Sequence, residues 1–294
     1  MLIDGENLLH RSFHKFANLK TKDGKNTGAI FGFFKSLHYL VTRFAPDRVM
    51  ITFDNGHSPI RTNLLPGYKG HRKNISMDYQ SLQKQKKVIR KILRYLNIPY
   101  VFDKEKTTLY EGDDFLAWLT FHFKGHKVLI VSSDKDFNQL ITKDVTIFNP
   151  NKDERVLQRN CKELFGYTPE ETVDYLSLIG DSSDDIPGFK GIGPVKARQF
   201  LDKFGTIENS FGTGFWKNEK EAEEIWVRNK TLISLEHFLK TVSLLPKELP
   251  LHHTSKGVDM VKYTNICIKY SLNSFRTEMF LKPFKELKYE PIFD

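Results

Sequence analysis

Aspartate residues end three short apolar runs of this sequence. Asp4 ends MLID, Asp54 ends VMITFD, and Asp134 ends VLIVSSD. Runs of this kind are typical of buried strands in a parallel sheet, and the carboxyl ends of such strands lie at one edge of the sheet. We therefore expect the three aspartates to lie near one another, where their oxygens could hold a divalent cation.

More carboxylates cluster in the segments YEGDD, SSDKDF and GDSSDD. They are Glu111, Asp113, Asp114, Asp136, Asp181, Asp184 and Asp185. One acidic residue in the first turn of a helix usually caps it, but capping does not explain a cluster of three. Because these segments contain no cysteine or histidine, their oxygen ligands favour Mg²⁺ or Mn²⁺ over zinc. Two such ions could support hydrolysis of a phosphodiester, and hence of a nucleic acid.

A basic segment, Tyr68-Lys69-Gly70-His71-Arg72, lies between two predicted strands. Lys69 and Arg72 are three residues apart, so in a helical turn they would share a face and could grip a phosphate. Tyr68 could then offer a ring on which a base stacks. The alternative interpretation is an ordinary exposed basic loop.

A glycine-rich turn precedes a predicted helix further along the chain. Gly188, Gly191 and Gly193 are followed by Pro194 and the helix-forming run VKARQFL. Glycines leave backbone amides accessible, and proline suits the first helical position, so this turn could bind a phosphate with Lys196 adding charge. It is not a dinucleotide fingerprint, because no strand precedes it.

The elements that must position these residues follow from the hydrophobic periodicity. Short strands alternate with helices predicted over 26–44, 79–96 and 111–124, which is the pattern of an α/β fold with a central, mostly parallel sheet. The outward lysines of 79–96 form either a solvated face or a nucleic-acid contact. Further helices are predicted around 221–239 and 262–280. We expect an α/β core over 1–165, with an excursion at about 55–80, and a helical part over 166–294.

Composition narrows the class of protein. The chain has 294 residues, and 45 Lys and Arg against 36 Asp and Glu give a net charge of +9. A basic protein with acidic clusters suits a polyanion substrate, although solubility alone could account for the charge. The two cysteines, Cys161 and Cys267, form no metal or disulfide pattern, which fits a reducing cytosol. With no membrane-spanning run and no signal sequence evident, we expect a cytoplasmic protein.

Seven segments resemble the 5′ nucleases, the family that includes the 5′-to-3′ exonuclease domain of bacterial DNA polymerase I and the stand-alone flap endonucleases of bacteria and bacteriophages. They occur in the order of the family and cover roughly the first 205 residues. The segments are LIDGENLLHRSFH, NTGAIFGF, the FD of TFD, IRTNLLPGYKGHR, YEGDD, SSDKDF and GDSSDDIPGFKGIGPVKA.

The resemblance implies a PIN-like 5′ nuclease fold with a helical arch and a C-terminal helix-hairpin-helix subdomain. It also implies metal ligands for two or more Mg²⁺ or Mn²⁺ ions at Asp4, Asp54, Glu111, Asp113, Asp114, Asp134, Asp136, Asp181 and Asp184. Lys69 matches the family's catalytic lysine and Arg72 its phosphate-binding arginine. The implied DNA-binding residues are Arg11, Tyr68, Gly188, Gly191, Gly193 and Lys196, with K⁺ at the glycine turn.

By resemblance, the activity is a structure-selective 5′ nuclease acting on DNA with a 5′ flap, a nick or a single-stranded 5′ end, and on RNA primers, as a monomer in replication or repair. Two alternatives are a non-catalytic protein that binds branched DNA on the same fold, and a single-strand ribonuclease. Three features depart from the family pattern: Asp185 stands where most members have asparagine, Tyr110 replaces a small apolar residue, and only three residues precede Asp4.

Overall fold

The computed structural model describes residues 1–54, 56–73, 77–104, 109–242, 249–252 and 257–288, and for residues 72, 73, 77 and 78 it describes the backbone alone. The strands are β1 Leu2–Asp4, β2 Met50–Thr52, β3 Tyr100–Val101, β4 Val128–Val131, β5 Val145–Asn149, β6 Glu154–Val156, β7 Gly180–Asp181, β8 Ile186–Pro187 and β9 Leu251–His252. The helices are α1 Gly5–Lys15, α2 Gly28–Phe44, α3 Pro59–Leu64, α4 Met77–Tyr95, α5 Gly112–His122, α6 Gln158–Phe165, α7 Thr172–Ile179, α8 Pro194–Phe204, α9 Glu219–Ile233, α10 Leu235–Val242, α11 Met260–Lys269 and α12 Glu278–Lys285.

The chain divides into two compact units. Unit 1 comprises Met1–Asn55, Ile75–Glu105 and Pro246–Asp294. Its strands β1, β2 and β3 pair in parallel, and β9 pairs with β3 in the antiparallel direction. The strands are short and fully buried, as their apolar runs predict. Helix α2 packs Phe33 against Phe53, whose ring centroids are 6.0 Å apart. Unit 1 is therefore a mostly parallel sheet covered by helices.

Unit 2 comprises Gly56–Asn74 and Lys106–Leu245. Strand β4 pairs in parallel with β5, and β6 returns antiparallel beside β5. The helical part of the unit buries a cluster that includes Tyr68, Leu176, Phe200 and Trp226. Strands β7 and β8 form a small hairpin between α7 and α8. This hairpin carries the acidic turn that contains Asp181 and Asp184.

The predicted fold class, α/β with a mostly parallel sheet and flanking helices, is confirmed by these pairings. The helix predicted over 221–239 is two helices, because Ser234 leaves the helical region between α9 and α10. The segment 262–280 is also interrupted, since Ser271 adopts a left-handed φ of 56° after α11. The domain boundary at 165/166 stays a prediction. None of the described helices has the length and apolar character needed to cross a membrane.

Candidate active site

Unit 1 carries two aspartates at the carboxyl ends of neighbouring parallel strands. Asp4 ends β1 opposite Thr52, and Asp54 follows β2 two residues later, so both stand at the carboxyl ends of these strands. Asp4 is buried, and its Oδ1 accepts the Asn7 backbone N–H at 2.9 Å, which caps α1. The two strands thus place this pair as their sequence runs predict.

A buried lysine supports this end of the unit 1 sheet. The Lys86 ammonium of α4 lies 2.6 Å from Glu6 Oε2 and donates to the Asp54 carbonyl oxygen at 2.6 Å. Its side chain is only 4% exposed. Lys86 was not among the residues predicted to belong to a site. Its buried position could have been predicted from the sequence, because Lys86 lies four residues after the inward-facing Leu82 and residues at i and i+4 share a helix face.

Arg11, predicted to contact DNA, lies on α1 in unit 1. It is half-buried, and its Nη1 donates to Ser36 Oγ at 3.4 Å. The predicted role of Arg11 in DNA binding stays a prediction.

In unit 2, Glu111 stands immediately before α5 and accepts hydrogen bonds from the segment 58–69. Its Oε1 accepts the Ser58 N–H at 2.8 Å, and its Oε2 accepts the Lys69 ammonium at 2.6 Å and the Tyr68 hydroxyl at 3.0 Å. Burial opposes ionisation of Glu111, but the charges of Lys69 and Arg61 outweigh it and lower the pKa to about 2. Glu111 is therefore a carboxylate in a pocket lined by donors.

Asp114, one turn into α5, has both oxygens engaged by Arg61. The guanidinium donates from Nη1 to Oδ2 and from Nη2 to Oδ1, both at 2.7 Å, and Oδ2 also accepts the Glu111 N–H at 2.8 Å. Burial disfavours the charge of Arg61, but the two carboxylates raise the pKa of its guanidinium. Arg61 lies in IRTNLLPGYKGHR, but no sequence pattern pointed to a role for it. The ligand role predicted for Asp114 stays a prediction, and this geometry does not favour it. Asp113, the next residue around the helix, is partly buried.

Tyr68 and Lys69 are buried, at 4% and 3% exposure, and do not form an open basic strip. The Tyr68 hydroxyl lies 3.0 Å from Glu111 Oε2 and 3.2 Å from Asp184 Oδ2, so its single proton is shared between the two carboxylates. Because the side chain is buried, its ring offers no open face for base stacking. Lys69 adopts a left-handed φ of 51°, and its N–H donates to the Asp184 carbonyl at 2.9 Å. The side chain of Arg72 lies outside the described atoms, as do residues 55 and 74–76 of the predicted arch.

Four further aspartates of unit 2 interact electrostatically. Asp134 and Asp136 lie at the start of a 3₁₀ turn after β4, while Asp181 and Asp184 lie in the β7–β8 hairpin. Burial and the neighbouring carboxylates raise the pKa of both Asp134 and Asp136. This repulsion is what a bound cation would relieve.

The four carboxylates provide oxygen donors suited to a hard divalent cation. Asp136 Oδ1 is buried and accepts no hydrogen bond from any described residue, so a cation would satisfy an atom that the protein does not. Oxygen donors without thiolate or imidazole suit Mg²⁺ or Mn²⁺. Across the described residues, however, no three such side chains already form a finished metal cage. In their chemistry these residues fit a divalent cation.

Asp185, which stands where most members of the family have asparagine, contacts His71. Its Oδ2 accepts the His71 N–H at 3.1 Å and lies 2.7 Å from His71 Nδ1, and these contacts lower the pKa of Asp185. Asp185 adopts a left-handed φ of 56°, which asparagine also tolerates. Tyr110, another departure, donates its hydroxyl to the Val242 carbonyl and packs on Phe238.

The glycine turn lies between the hairpin and α8. Gly188 packs so closely that an added Cβ would lie 2.4 Å from the Gly180 nitrogen, and Gly191 has a left-handed φ of 80°. Pro194 begins α8 directly after Gly193, as predicted. Lys196 is exposed and donates to the Gly191 carbonyl at 3.0 Å. The turn therefore has the predicted backbone form, whereas its phosphate binding stays a prediction.

Two family models match the chain. One, described as the N-terminal resolvase-like domain of 5′-3′ exonuclease, covers residues 1–166, and one described as its C-terminal SAM fold covers residues 167–257. A 5′-3′ exonuclease of Aquifex aeolicus is 35% identical over 210 residues, which are 71% of this chain and 70% of that relative. DNA polymerase I of Bacillus caldotenax is 33% identical over 287 residues, or 95% of this chain, which spans only 32% of the polymerase.

A similar fold is found in a solved structure of the bacteriophage T5 flap endonuclease with DNA and metal ions. It has a TM-score of 0.68 and 20% identity, and covers 91% of this chain and 97% of that one. This likeness shows the fold alone, and it confirms the fold class expected from the sequence. The two family models and the Aquifex relative confirm the resemblance on which the sequence analysis relied. The chain belongs to the 5′-3′ exonuclease family.

Proposed function

We propose that this protein is a divalent-metal-dependent, structure-selective 5′ nuclease that hydrolyses phosphodiesters near junctions of single-stranded and duplex DNA. The supporting observation is the buried Lys69, whose ammonium lies 2.6 Å from Glu111 and 3.5 Å from Asp184 in unit 2. The Lys69 ammonium would attract the negative charge of a phosphodiester. The carboxylates around it would bind the metal ions that hydrolysis needs. Family membership makes a 5′ end the natural substrate.

The proposed metal ligands are Asp4, Asp54, Glu111, Asp113, Asp134, Asp136, Asp181 and Asp184, and Mg²⁺ or Mn²⁺ is the cation that their oxygens suit. When bound, such ions polarise a phosphodiester and acidify an attacking water. Lys69 counters charge that develops on the phosphate, and Arg72 is proposed to bind a phosphate. Lys69 would exchange its contact with Glu111 for one with the substrate.

Duplex DNA is proposed to bind at the glycine turn. The amides of Gly191 and Gly193 stand before α8, where the partial positive charge of a helix N-terminus attracts phosphate. Lys196 adds a full charge, and the turn is proposed to hold K⁺. Arg11 would contact the DNA from α1, and Tyr68 would act through Glu111 and Asp184 rather than by stacking. The protein is proposed to act as a monomer.

The experiment compares a 5′-labelled flap, a nicked duplex, an RNA-primed duplex and an unstructured RNA, each with Mg²⁺, with Mn²⁺ and with EDTA. We expect cleavage of the flap near its junction with either metal and none in EDTA. Asp134→Asn and Asp113→Asn should lower cleavage by at least a hundredfold while flap binding stays within about threefold, because phosphate contacts away from the metals supply most affinity.

Three outcomes would contradict the proposal. Binding of the flap without cleavage in either metal would indicate a branched-DNA-binding protein. Equal cutting of unstructured RNA and flap would indicate a ribonuclease. Unchanged turnover in both aspartate variants would reject the assigned metal ligands.

A further inference from the structure

The buried pair of Arg61 and Asp114 leaves no free oxygen on Asp114. Oδ1 accepts Arg61 Nη2, and Oδ2 accepts both Arg61 Nη1 and the Glu111 N–H. The Asp114 side chain is 0% exposed and that of Arg61 is 3% exposed. A cation drawing on either oxygen would compete with the buried guanidinium for the charge of Asp114, and losing that partner would be strongly unfavourable. The geometry therefore suits Asp114 to holding Arg61, not a metal.

Arg61 also contacts two other helices of unit 2. Its Nε donates to the Leu232 carbonyl at 3.2 Å, near the end of α9. Its guanidinium lies 3.9 Å from the centre of the Phe238 ring of α10, within the range of a cation–π contact. One side chain of the short helix α3 is thus fixed by α5, α9 and α10 together. A bidentate guanidinium fixes orientation as well as distance.

Helix α3 lies between the two residues whose donors contact Glu111. Ser58 precedes α3 and donates its N–H to Oε1, whereas Lys69 follows α3 and donates its ammonium to Oε2. Asp114 at the same time accepts the Glu111 N–H. Anchoring α3 through Arg61 therefore sets where both Lys69 and Glu111 stand.

We infer that Arg61 and Asp114 form a positioning pair that aligns Lys69 with Glu111, and that Asp114 is not a metal ligand. The inference rests on the proposed function, in which Lys69 meets the phosphate. A positioning pair acts as one unit, so removing either member should have the same effect, and removing both should add little. A metal ligand would instead lower metal affinity by itself.

The test uses Arg61→Lys, Asp114→Asn and the double variant of the full chain. Matched controls are Arg155→Lys and Asp144→Asn, which change the same residue types at the surface of unit 2. For each protein, kcat and KM are measured on a 5′ flap at saturating Mn²⁺, and Mn²⁺ binding is measured by calorimetry without DNA. Near-ultraviolet circular dichroism establishes that each variant is folded at the assay temperature.

We expect kcat to fall at least tenfold in each single variant, with KM changed less than threefold. The kcat of the double variant should be no lower than that of the less active single variant. Mn²⁺ affinity and stoichiometry should stay within twofold of wild type, as in both controls. Loss of an Mn²⁺ site in Asp114→Asn, multiplied losses in the double variant, or wild-type kcat in Arg61→Lys would overturn the inference. If Asp114→Asn does not fold, the kcat and the Mn²⁺ affinity of Arg61→Lys test the inference by the same criteria.

The wild-type protein tests the proposed function separately. If the wild-type protein cleaves no flap in either metal, the proposed function fails. Calorimetry of Asp114→Asn would still decide whether Asp114 is an Mn²⁺ ligand.

Discussion

At the scale of single residues, one buried oxygen of Asp136 is energetically unfavourable. It accepts no hydrogen bond from any described residue, burial removes its carboxylate from water, and the carboxylates of Asp134, Asp181 and Asp184 repel it. Such a group destabilises the protein unless a cation is bound. Retaining it is typical of a site whose function, not stability, selects the residue.

This cost leads to a prediction for Asp136→Asn. In EDTA the variant should melt about 2 °C or more above wild type, because one buried charge is removed from the group. Added Mn²⁺ should raise the Tm of wild type by binding the folded state, and should raise that of the variant much less. Differential scanning calorimetry with and without Mn²⁺ measures both effects.

The control is Asp144→Asn, whose carboxylate pairs with Lys127 at the surface. It should not gain stability in EDTA, and it should keep the Mn²⁺ effect. A lower Tm for Asp136→Asn than for wild type in EDTA would show that the carboxylates do not repel one another as described.

At the scale of elements, α4 carries a row of basic residues along its exposed face. Lys84, Lys87, Lys91 and Arg94 are all exposed and recur every three or four residues, so they lie on one side of the helix. From first to last they extend about 15 Å along the helix axis. Either they are merely solvated, or they follow a nucleic-acid backbone.

The two interpretations predict different salt dependence. If the row contacts phosphates, replacing Lys84, Lys87 and Lys91 with glutamine should reduce the slope of log affinity against log salt by about 2 to 3, because fewer counterions are released. Fluorescence anisotropy with a labelled flap in Ca²⁺ measures the slope. The control replaces three exposed lysines of unit 2, Lys124, Lys143 and Lys152. Equal slopes in wild type and in the α4 variant would indicate a solvated face.

Elements with a strong local signal were predictable from the sequence. The aspartates after β1 and β2, the amphipathic α4 and the proline start of α8 follow from patterns within a few residues. The partners of Arg61 and Lys69 could not be predicted, since Asp114 is 53 residues from Arg61 and Glu111 is 42 residues from Lys69. Tyr68 was expected at the surface because its partners are also distant from it in the sequence. Its burial depends on contacts that a local sequence pattern does not reveal.

At the scale of the whole molecule, Glu111 links global stability to pH. Its pKa in the folded protein is about 2, against an ordinary value of 4.5. A depressed carboxyl pKa contributes stability that is fully present above the ordinary value, and that is lost as the pH falls towards the folded one. The contribution is up to about 3 kcal/mol.

The corresponding prediction compares wild type with Glu111→Gln in EDTA. The free energy of unfolding of wild type, from urea titrations between pH 6 and pH 3, should fall relative to that of the variant below about pH 4.5. The difference isolates Glu111, because Asp134 and Asp136, with raised pKa values, are present in both proteins. A constant difference across this range would show that Glu111 is not held as a carboxylate by Lys69 and Arg61.

The order of the chain has a consequence for how the protein is made. Strand β9 comes from residues 251–252, yet it pairs with β3 at residues 100–101, and unit 2 is encoded almost entirely between them. On the ribosome, unit 2 can therefore complete its fold while unit 1 still awaits its last strand. Unit 1, which carries Asp4 and Asp54, is completed only after residues 251–252 have been synthesised, so a shorter nascent chain still lacks one strand of the unit that holds these two carboxylates.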